Sequence, residues 1–256
     1  MTINTYLSYL ASDLVLSDSE KSSIETSIST IKTRLSSYFA DVCDKKVFGS
    51  YVRFTILPRK ADSESDIDIM VVFNNPYGHK PQSFLNRLKN FAEHYYQRSE
   101  IYQSSPTIVL ELNHIKFELT PAWTYYGTYY IPNGPSEWMP TDPDGFYKKL
   151  TQCNVNNGSK IKPVVRLLKH WNIQKNNRDL ASFALEKKIA EGMMYSFYSC
   201  STYTDYLCQA LELIKSDTDI NKVNTALAHI ATALRYERAQ LNDWAIAEIK
   251  KVFPEV

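Results

Sequence analysis

Two carboxylates separated by a single residue, Asp66 and Asp68, are the side chains of this sequence best suited to bind a metal ion. They lie in a β-rich run over residues 65–73, and side chains at i and i+2 of a strand point to the same face. Neighbouring carboxylates repel each other unless a cation lies between them. Mg²⁺ prefers such oxygen ligands and also binds phosphate oxygens. Taken alone, the pattern fits a solvated strand edge equally well.

Three further residues extend this pattern toward phosphoryl transfer. Gly49 and Ser50 form the predicted turn that ends a short strand over residues 45–50. A glycine lets the backbone approach a phosphate closely, and N–H groups and a hydroxyl can donate hydrogen bonds to its oxygens. Glu118 lies on a predicted strand over residues 115–120, on the same polar face as Lys116. Glu118 is therefore either a third ligand or an exposed strand acid, and the combination favours a ligand.

A basic stripe lies in the C-terminal half of the sequence. Lys162, Arg166 and Lys169 recur at i, i+4 and i+7 of a predicted helix over residues 161–174. Such a stripe is either a solvated helix face or a contact to phosphate, for which an ammonium is a suitable point-charge partner. On the spacing alone, the solvated face is favoured.

The elements that must position these residues are visible in the local patterns. Ser17 and Glu20 fit a capping box at the start of a long helix that should end near Asp41. Pro81 is suited to the first turn of another helix. Strands are predicted over residues 45–50, 65–73, 107–112 and 115–120, and we expect Pro121 to stop the last one.

The second half of the chain is predicted to be helical. Residues 125–160 are rich in Pro and Gly and are expected to be mostly irregular. Apolar periodicity then predicts helices over residues 161–174, 180–196, 202–215, 220–236 and 239–253. The layout predicts an α+β fold with a domain transition in the irregular stretch.

Composition indicates an ordinary globular protein. Hydrophobic residues make up 44% and charged residues 22%, and the formal net charge is +1, which gives no overall attraction to nucleic acid or to an anionic membrane. The 4 cysteines form no C-x-x-C pair, so we expect reduced thiols and no structural zinc. No signal-peptide or membrane-span pattern is seen. We therefore expect a cytoplasmic protein without membrane contact, and favour a monomer.

The segments 48–58, 65–68 and 117–122 resemble those of the bacterial cGAS/DncV-like nucleotidyltransferases, the CD-NTases of the SMODS group. These are relatives of oligoadenylate synthase in the polymerase-β superfamily. The resemblance implies a mixed sheet with a long N-terminal helix, packed on a C-terminal helical bundle. It assigns residues 1–150 to a nucleotidyltransferase domain with N-terminal helices and residues 151–256 to a helical nucleotide-binding domain.

The resemblance also implies an activity. The family converts nucleoside triphosphates into cyclic di- or oligonucleotide second messengers with release of pyrophosphate, in antiphage signalling. Nucleotide transfer to an RNA 3′ end, a protein or a small molecule is the alternative. A third reading is a nucleotide-binding module without catalysis, against which the three acids argue. An activating protein or nucleic acid is not identified by the sequence.

Site residues carried over from the family have specific roles. Asp66, Asp68 and Glu118 would hold two Mg²⁺ or Mn²⁺ ions, and Glu118 is also the candidate base for the attacking hydroxyl. Lys169 and Ser182 look like the residues that hold the triphosphate, together with Gly49 and Ser50.

Two positions depart from the family pattern. Glu118 stands where aspartate is usual, and Phe54 stands where many relatives have glycine. The second difference falls in a loop that should line the nucleotide.

Overall fold

The chain folds into two structural units whose segments alternate along the sequence. In this computed structural model, residues 1–75, 77–194 and 200–256 are described. The sheet unit comprises Ser17–Arg53 and Glu64–Gly145. The helical unit comprises Met1–Leu16, Phe54–Ser63 and Phe146–Val256. The division into functional domains at residue 150 stays a prediction.

The sheet unit is built on seven strands: β1 (Val42–Phe48), β2 (Asp66–Phe73), β3 (Ile101–Ser104), β4 (Thr107–Glu111), β5 (Lys116–Tyr125), β6 (Thr128–Asn133) and β7 (Glu137–Thr141). Five of them follow the order β1-β2-β5-β4-β3, and β6 pairs with both β5 and β7. The pair β2–β5 is parallel, whereas β1 pairs antiparallel with β2 and β4 antiparallel with β5. This order places β2, which carries Asp66 and Asp68, directly beside the strand of Glu118.

Three helices belong to the sheet unit, and two of them begin where their sequences predict. Helix α2 (Asp18–Tyr38) starts at Ser17 with a capping box to Glu20, and ends three residues before Asp41. Helix α3 (Gly49–Arg53) is a single short turn that replaces the Gly-Ser turn expected after β1. Helix α4 (Pro81–Tyr95) opens at its proline and buries an apolar stripe.

The prediction that Pro121 stops β5 is wrong. The strand continues to Tyr125 and pairs with β2 through Val71↔Pro121. On the other side of β5, the pairing with β4 ends at Leu119 and the pairing with β6 begins only at Trp123. Proline is tolerated in a strand where no ladder hydrogen bond needs its missing N–H, and this gap between partners provides such a position.

The prediction of a mostly irregular stretch over residues 125–160 is also wrong. It holds β6, β7 and helix α5 (Pro143–Asn156). Tyr126 and Gly127 both have positive φ, 46° and 80°, as required at the two central residues of a tight hairpin turn. The Gly and Pro residues therefore mark turns between ordered elements, and Pro143 occupies the first position of a helix.

Helices make up the other unit: α1 (Ile3–Asp13), α6 (Ile161–Gln174), α7 (Ser182–Gly192), α8 (Tyr203–Ile214), α9 (Ile220–Arg238), α10 (Asn242–Val252) and most of α5. The predicted helix over residues 180–196 corresponds to α7, and its last two residues lie outside the described residues. A single apolar core joins these helices, with Leu7 and Leu168 fully buried and Trp171 at 1% exposure.

The segment Phe54–Ser63 belongs to the helical unit although it lies between β1 and β2 in sequence. Leu57 and Ala61 are part of the helical core. Strands and helices together confirm the α+β class. Among the described residues, none of the helices combines the length and the apolar character needed to span a membrane.

Candidate active site

Asp66 and Asp68 share one face of β2, as their spacing predicts. Both are half-buried, whereas Ile67 and Ile69 between and after them are fully buried. The isoleucines anchor the strand in the core, which leaves the two carboxylates on the opposite face. The predicted strand and the shared face of the two carboxylates are thereby confirmed.

Gly49 lies against the second of these carboxylates. A Cβ built at Gly49 would be 1.7 Å from Oδ2 of Asp68, and the backbone has φ +76°. No side chain fits this approach, and no L-residue adopts this φ without cost. Glycine is therefore required both for the turn from β1 into α3 and for the space that Asp68 occupies. Ser50 follows as the second residue of α3.

Glu118 is the residue of β5 directly opposite Asp68 in the parallel ladder. Its carboxylate accepts a hydrogen bond from the Thr107 hydroxyl at 3.4 Å. Burial raises the pKa of Glu118, while the charge of Lys116 and the Thr107 hydrogen bond oppose that rise. Thr107 lies on β4, on the side of β5 away from β2.

The three acids fit a hard divalent cation by donor type and by strand register. All three offer carboxylate oxygens, which are the ligands that Mg²⁺ and Mn²⁺ prefer. Across residues 1–75, 77–194 and 200–256, however, no three His, Cys, Asp or Glu side chains converge as a ready metal cluster. Glu118 and Asp68 are nonetheless direct neighbours in the ladder.

Lys116 supplies a positive charge beside these acids, a role that the sequence reasoning missed. It is 9% exposed, pairs with Asp66 in the ladder, and its Nζ lies 3.3 Å from Oε2 of Glu64. Burial opposes its charge, but the Glu64 hydrogen bond and the charges of Asp66, Glu64 and Glu118 together raise the pKa of Lys116. Lys116 thus offsets part of the repulsion among the carboxylates. The position of Lys116 on the polar face of the predicted strand, next to Glu118, could have indicated this role.

Lys169, expected to contact a triphosphate, is buried in the helical unit and held by two partners. Its Nζ donates to Oε1 of Glu186 at 2.5 Å and to the Thr55 carbonyl at 3.1 Å. Lys169 is 5% exposed and Glu186 is fully buried. These contacts use two of the three N–H donors of an ammonium. Ser182 is exposed at the first position of α7, one turn before Glu186.

The basic stripe of α6 is not a solvated helix face. Arg166 is 8% exposed and donates to the carbonyls of Phe54 at 2.8 Å and Ala11 at 3.2 Å. Burial lowers the pKa of Arg166 to about 10. Lys162 is half-buried, with its Nζ 5.1 Å from the centre of the Phe54 ring. All three basic residues of the stripe therefore contact the segment that begins at Phe54.

Glu186 is a second residue that the sequence reasoning missed. The sequence could have indicated it, because Glu186 is an acid within the apolar stripe of α7, between Leu185 and Ile189, which are both buried. A buried acid requires a charged partner, and Lys169 is that partner.

Comparison with known proteins places these features in a family context. Residues 1–154 match the family described as the Second Messenger Oligonucleotide or Dinucleotide Synthetase domain, SMODS. A probable cyclic nucleotide synthase of Bacillus cereus is 25% identical, over 62% of this chain and 57% of that protein. The cyclic AMP-AMP-AMP synthase of an Acinetobacter species is 26% identical, over 60% of this chain and 45% of that protein. The chain thus spans about half the length of the curated relatives it matches.

A solved structure shares the fold. That of CdnC from Escherichia coli MS115-1 with ATP superposes with a TM-score of 0.74, covering 98% of this chain and 97% of that chain. The two sequences are 13% identical, so the similarity concerns the fold alone. It confirms the type of fold that the sequence motifs implied.

Proposed function

Because this chain belongs to the Second Messenger Oligonucleotide or Dinucleotide Synthetase family, we propose that it joins nucleoside triphosphates into a cyclic di- or oligonucleotide and releases pyrophosphate. The observation that carries the proposal is the arrangement around Asp68. Its ladder partner is Glu118, and Gly49 packs so closely against it that a Cβ would overlap Oδ2. The cyclic nucleotide synthases among the relatives support the choice of product.

In this proposal Asp66, Asp68 and Glu118 would hold two Mg²⁺ ions, or Mn²⁺ in their place. Such ions, when bound, neutralise phosphate charge and steady the attacking and leaving oxygens of an in-line displacement. The acids would position the ions, and Glu118 is the candidate to accept the proton of the attacking hydroxyl.

The other proposed site residues would bind the triphosphate. The backbone at Gly49 and the hydroxyl of Ser50 would donate to phosphate oxygens at the start of α3. Lys169 would use the donor not taken by Glu186 or Thr55, and Ser182 its exposed hydroxyl. Position and charge then supply most of the catalysis, since phosphoryl transfer asks little covalent chemistry of the protein. We further propose that the product serves antiphage signalling in the cytoplasm, which rests on the family alone.

One incubation tests the proposal. Purified protein is mixed with each labelled nucleoside triphosphate and with all four together, with Mg²⁺ or Mn²⁺, and the products are treated with phosphatase. A cyclic product has no terminal phosphate and resists the treatment. Absence of such a product under every condition, with transfer only after RNA or another protein is added, would contradict the proposal and support the alternative acceptors.

A further inference from the structure

Phe54 combines a strained backbone with an exposed ring. Its φ is 60°, in the left-handed region that favours glycine, and the residue is 65% exposed. A left-handed non-glycine residue costs stability, and an exposed phenyl ring recovers little by burial. Glycine would adopt this backbone conformation without the strain.

Helix α6 holds the backbone at Phe54 and Thr55 in place through two hydrogen bonds. The Phe54 carbonyl accepts from Arg166 at 2.8 Å, and the next carbonyl, that of Thr55, accepts from Lys169 at 3.1 Å. Both donors are charged and buried, which gives strong, fixed hydrogen bonds. The strained conformation is therefore enforced by neighbouring structure, and the ring is presented on a rigid support.

A cation and a second aromatic ring lie beside Phe54. Lys162 Nζ is 5.1 Å from the Phe54 ring centre and 5.6 Å from that of Tyr147. Tyr147 is 37% exposed. The attraction of an ammonium for an exposed ring is typically smaller than the cost of a left-handed backbone. The cation–π contact therefore does not by itself explain why a ring is placed here.

Aromatic faces next to an ammonium match the chemistry of a nucleotide. A nucleobase stacks on an aromatic ring whatever its identity, because every base has a π-face. A lysine beside the ring can donate to acceptor atoms of the base or to the negatively charged phosphates. Apolar peptide side chains would use the rings but gain nothing from the charge.

We propose that Phe54 is a stacking platform for the base of a nucleoside triphosphate, with Lys162 as the neighbouring donor. This inference rests on the proposed function, because it assigns one contact of the same substrate. It gives the Phe54 ring a role in base binding that glycine could not fill.

The proposal can be tested by calorimetry, which measures the affinity for a non-hydrolysable nucleoside triphosphate in the presence of Mg²⁺. Phe54→Gly is expected to weaken binding at least about fivefold, the lower end for loss of one base–aromatic stack. Inorganic tripolyphosphate, which has no base, should bind Phe54→Gly and the unchanged protein equally well. Phe54→Gly should also raise the thermal midpoint, because it removes the backbone strain.

Three variants make the result specific. Phe54→Tyr keeps the ring and should bind within about twofold of the unchanged protein, whereas Phe54→Leu keeps the strain but loses the stack. Gln240, with φ 62°, provides the strain control, so Gln240→Gly should raise the thermal midpoint without weakening binding.

Two results would overturn the inference. One is equal affinity of Phe54→Gly, Phe54→Leu and the unchanged protein for the triphosphate. The other is a parallel loss of tripolyphosphate affinity, which would make the segment a phosphate support. If the unchanged protein binds none of the four nucleoside triphosphates, the proposed function itself fails, and this inference fails with it.

Discussion

At the scale of single residues, Gly49 gives the sharpest test of the site. Gly49→Ala places a methyl group 1.7 Å from Oδ2 of Asp68 on a backbone with φ +76°. Asp68 must move, so we expect product formation to fall by more than about a hundredfold, since small displacements at a reacting centre can cost that much. Turnover and urea unfolding should be measured on the same preparation.

Gly134 provides the matched control. It has the same φ of +76°, but a Cβ there meets nothing within 4 Å. Gly134→Ala therefore carries the backbone strain without the overlap, and should cost about 1–2 kcal/mol in the free energy of unfolding with full turnover. Equal turnover of Gly49→Ala and Gly134→Ala would show that the position of Asp68 is unimportant for activity.

At the scale of elements, the ion pair between α6 and α7 separates a structural from a functional role of Lys169. The pair is buried, with side-chain exposures of 6% and 0%. Lys169→Met removes the ammonium beside the buried Glu186 carboxylate, which should cost about 3–5 kcal/mol in the free energy of unfolding. The double variant Lys169→Met/Glu186→Leu should recover most of this loss.

The double variant carries the functional information. If Lys169 also binds the triphosphate, the double variant should be stable yet bind nucleoside triphosphates about tenfold more weakly, equivalent to about 1.4 kcal/mol. Normal binding by the double variant would assign Lys169 to folding only. As a control, the exposed pair Lys149–Glu191 also anchors α7, and Lys149→Met should cost no more than about 1 kcal/mol.

The N-terminus of α2 offers a test of helix capping alone. Ser17 accepts from the Glu20 N–H, and the Glu20 carboxylate accepts from the Ser17 N–H at 2.8 Å. Ser17→Ala should lower the free energy of unfolding by about 1 kcal/mol, with unchanged turnover. Ser22→Ala, at an exposed position within the same helix, should change stability by less than about 0.5 kcal/mol. A Ser17→Ala variant as stable as Ser22→Ala would contradict the capping role.

Across the whole molecule, the sequence predicts what depends on nearby residues. The capping box of α2 and the alternation around Asp66 and Asp68 are local patterns, and both appear in the structure. The continuation of β5 through Pro121 depends instead on which neighbouring strands end there. No pattern within β5 contains that information.

The support of the Phe54 segment shows the same limit. Arg166 and Phe54 are 112 residues apart in sequence, and Lys169 and Thr55 are 114 apart. Basic residues at i, i+4 and i+7 predict a solvent-exposed helix face unless their distant hydrogen-bond acceptors are known. The prediction of a solvated face is therefore wrong for Arg166 and Lys169. Each donates to a backbone carbonyl of the segment Phe54–Ser63, which belongs to the helical unit although it lies between β1 and β2 in the sequence.

Metal dependence is a property of the whole protein and can be tested without assuming the product. Asp68→Asn keeps the size of a side chain that Gly49 packs against but removes a charged oxygen ligand. Its turnover should fall by more than the 10- to 100-fold typical of residues that only orient metal ligands. EDTA should stop turnover by the unchanged protein, and added Mg²⁺ should restore it.

Stability provides an independent readout of the same site. With Mg²⁺ and a non-hydrolysable nucleoside triphosphate at about 100 times Kd, the unchanged protein should gain about 2.7 kcal/mol in free energy of unfolding. Asp68→Asn should gain much less, whereas Asp13→Asn, at an exposed position of α1, should gain as much as the unchanged protein. Full turnover in EDTA would contradict the proposed metal site on β2 and β5. Equal stabilisation of Asp68→Asn and Asp13→Asn by Mg²⁺ and the nucleoside triphosphate would contradict it as well.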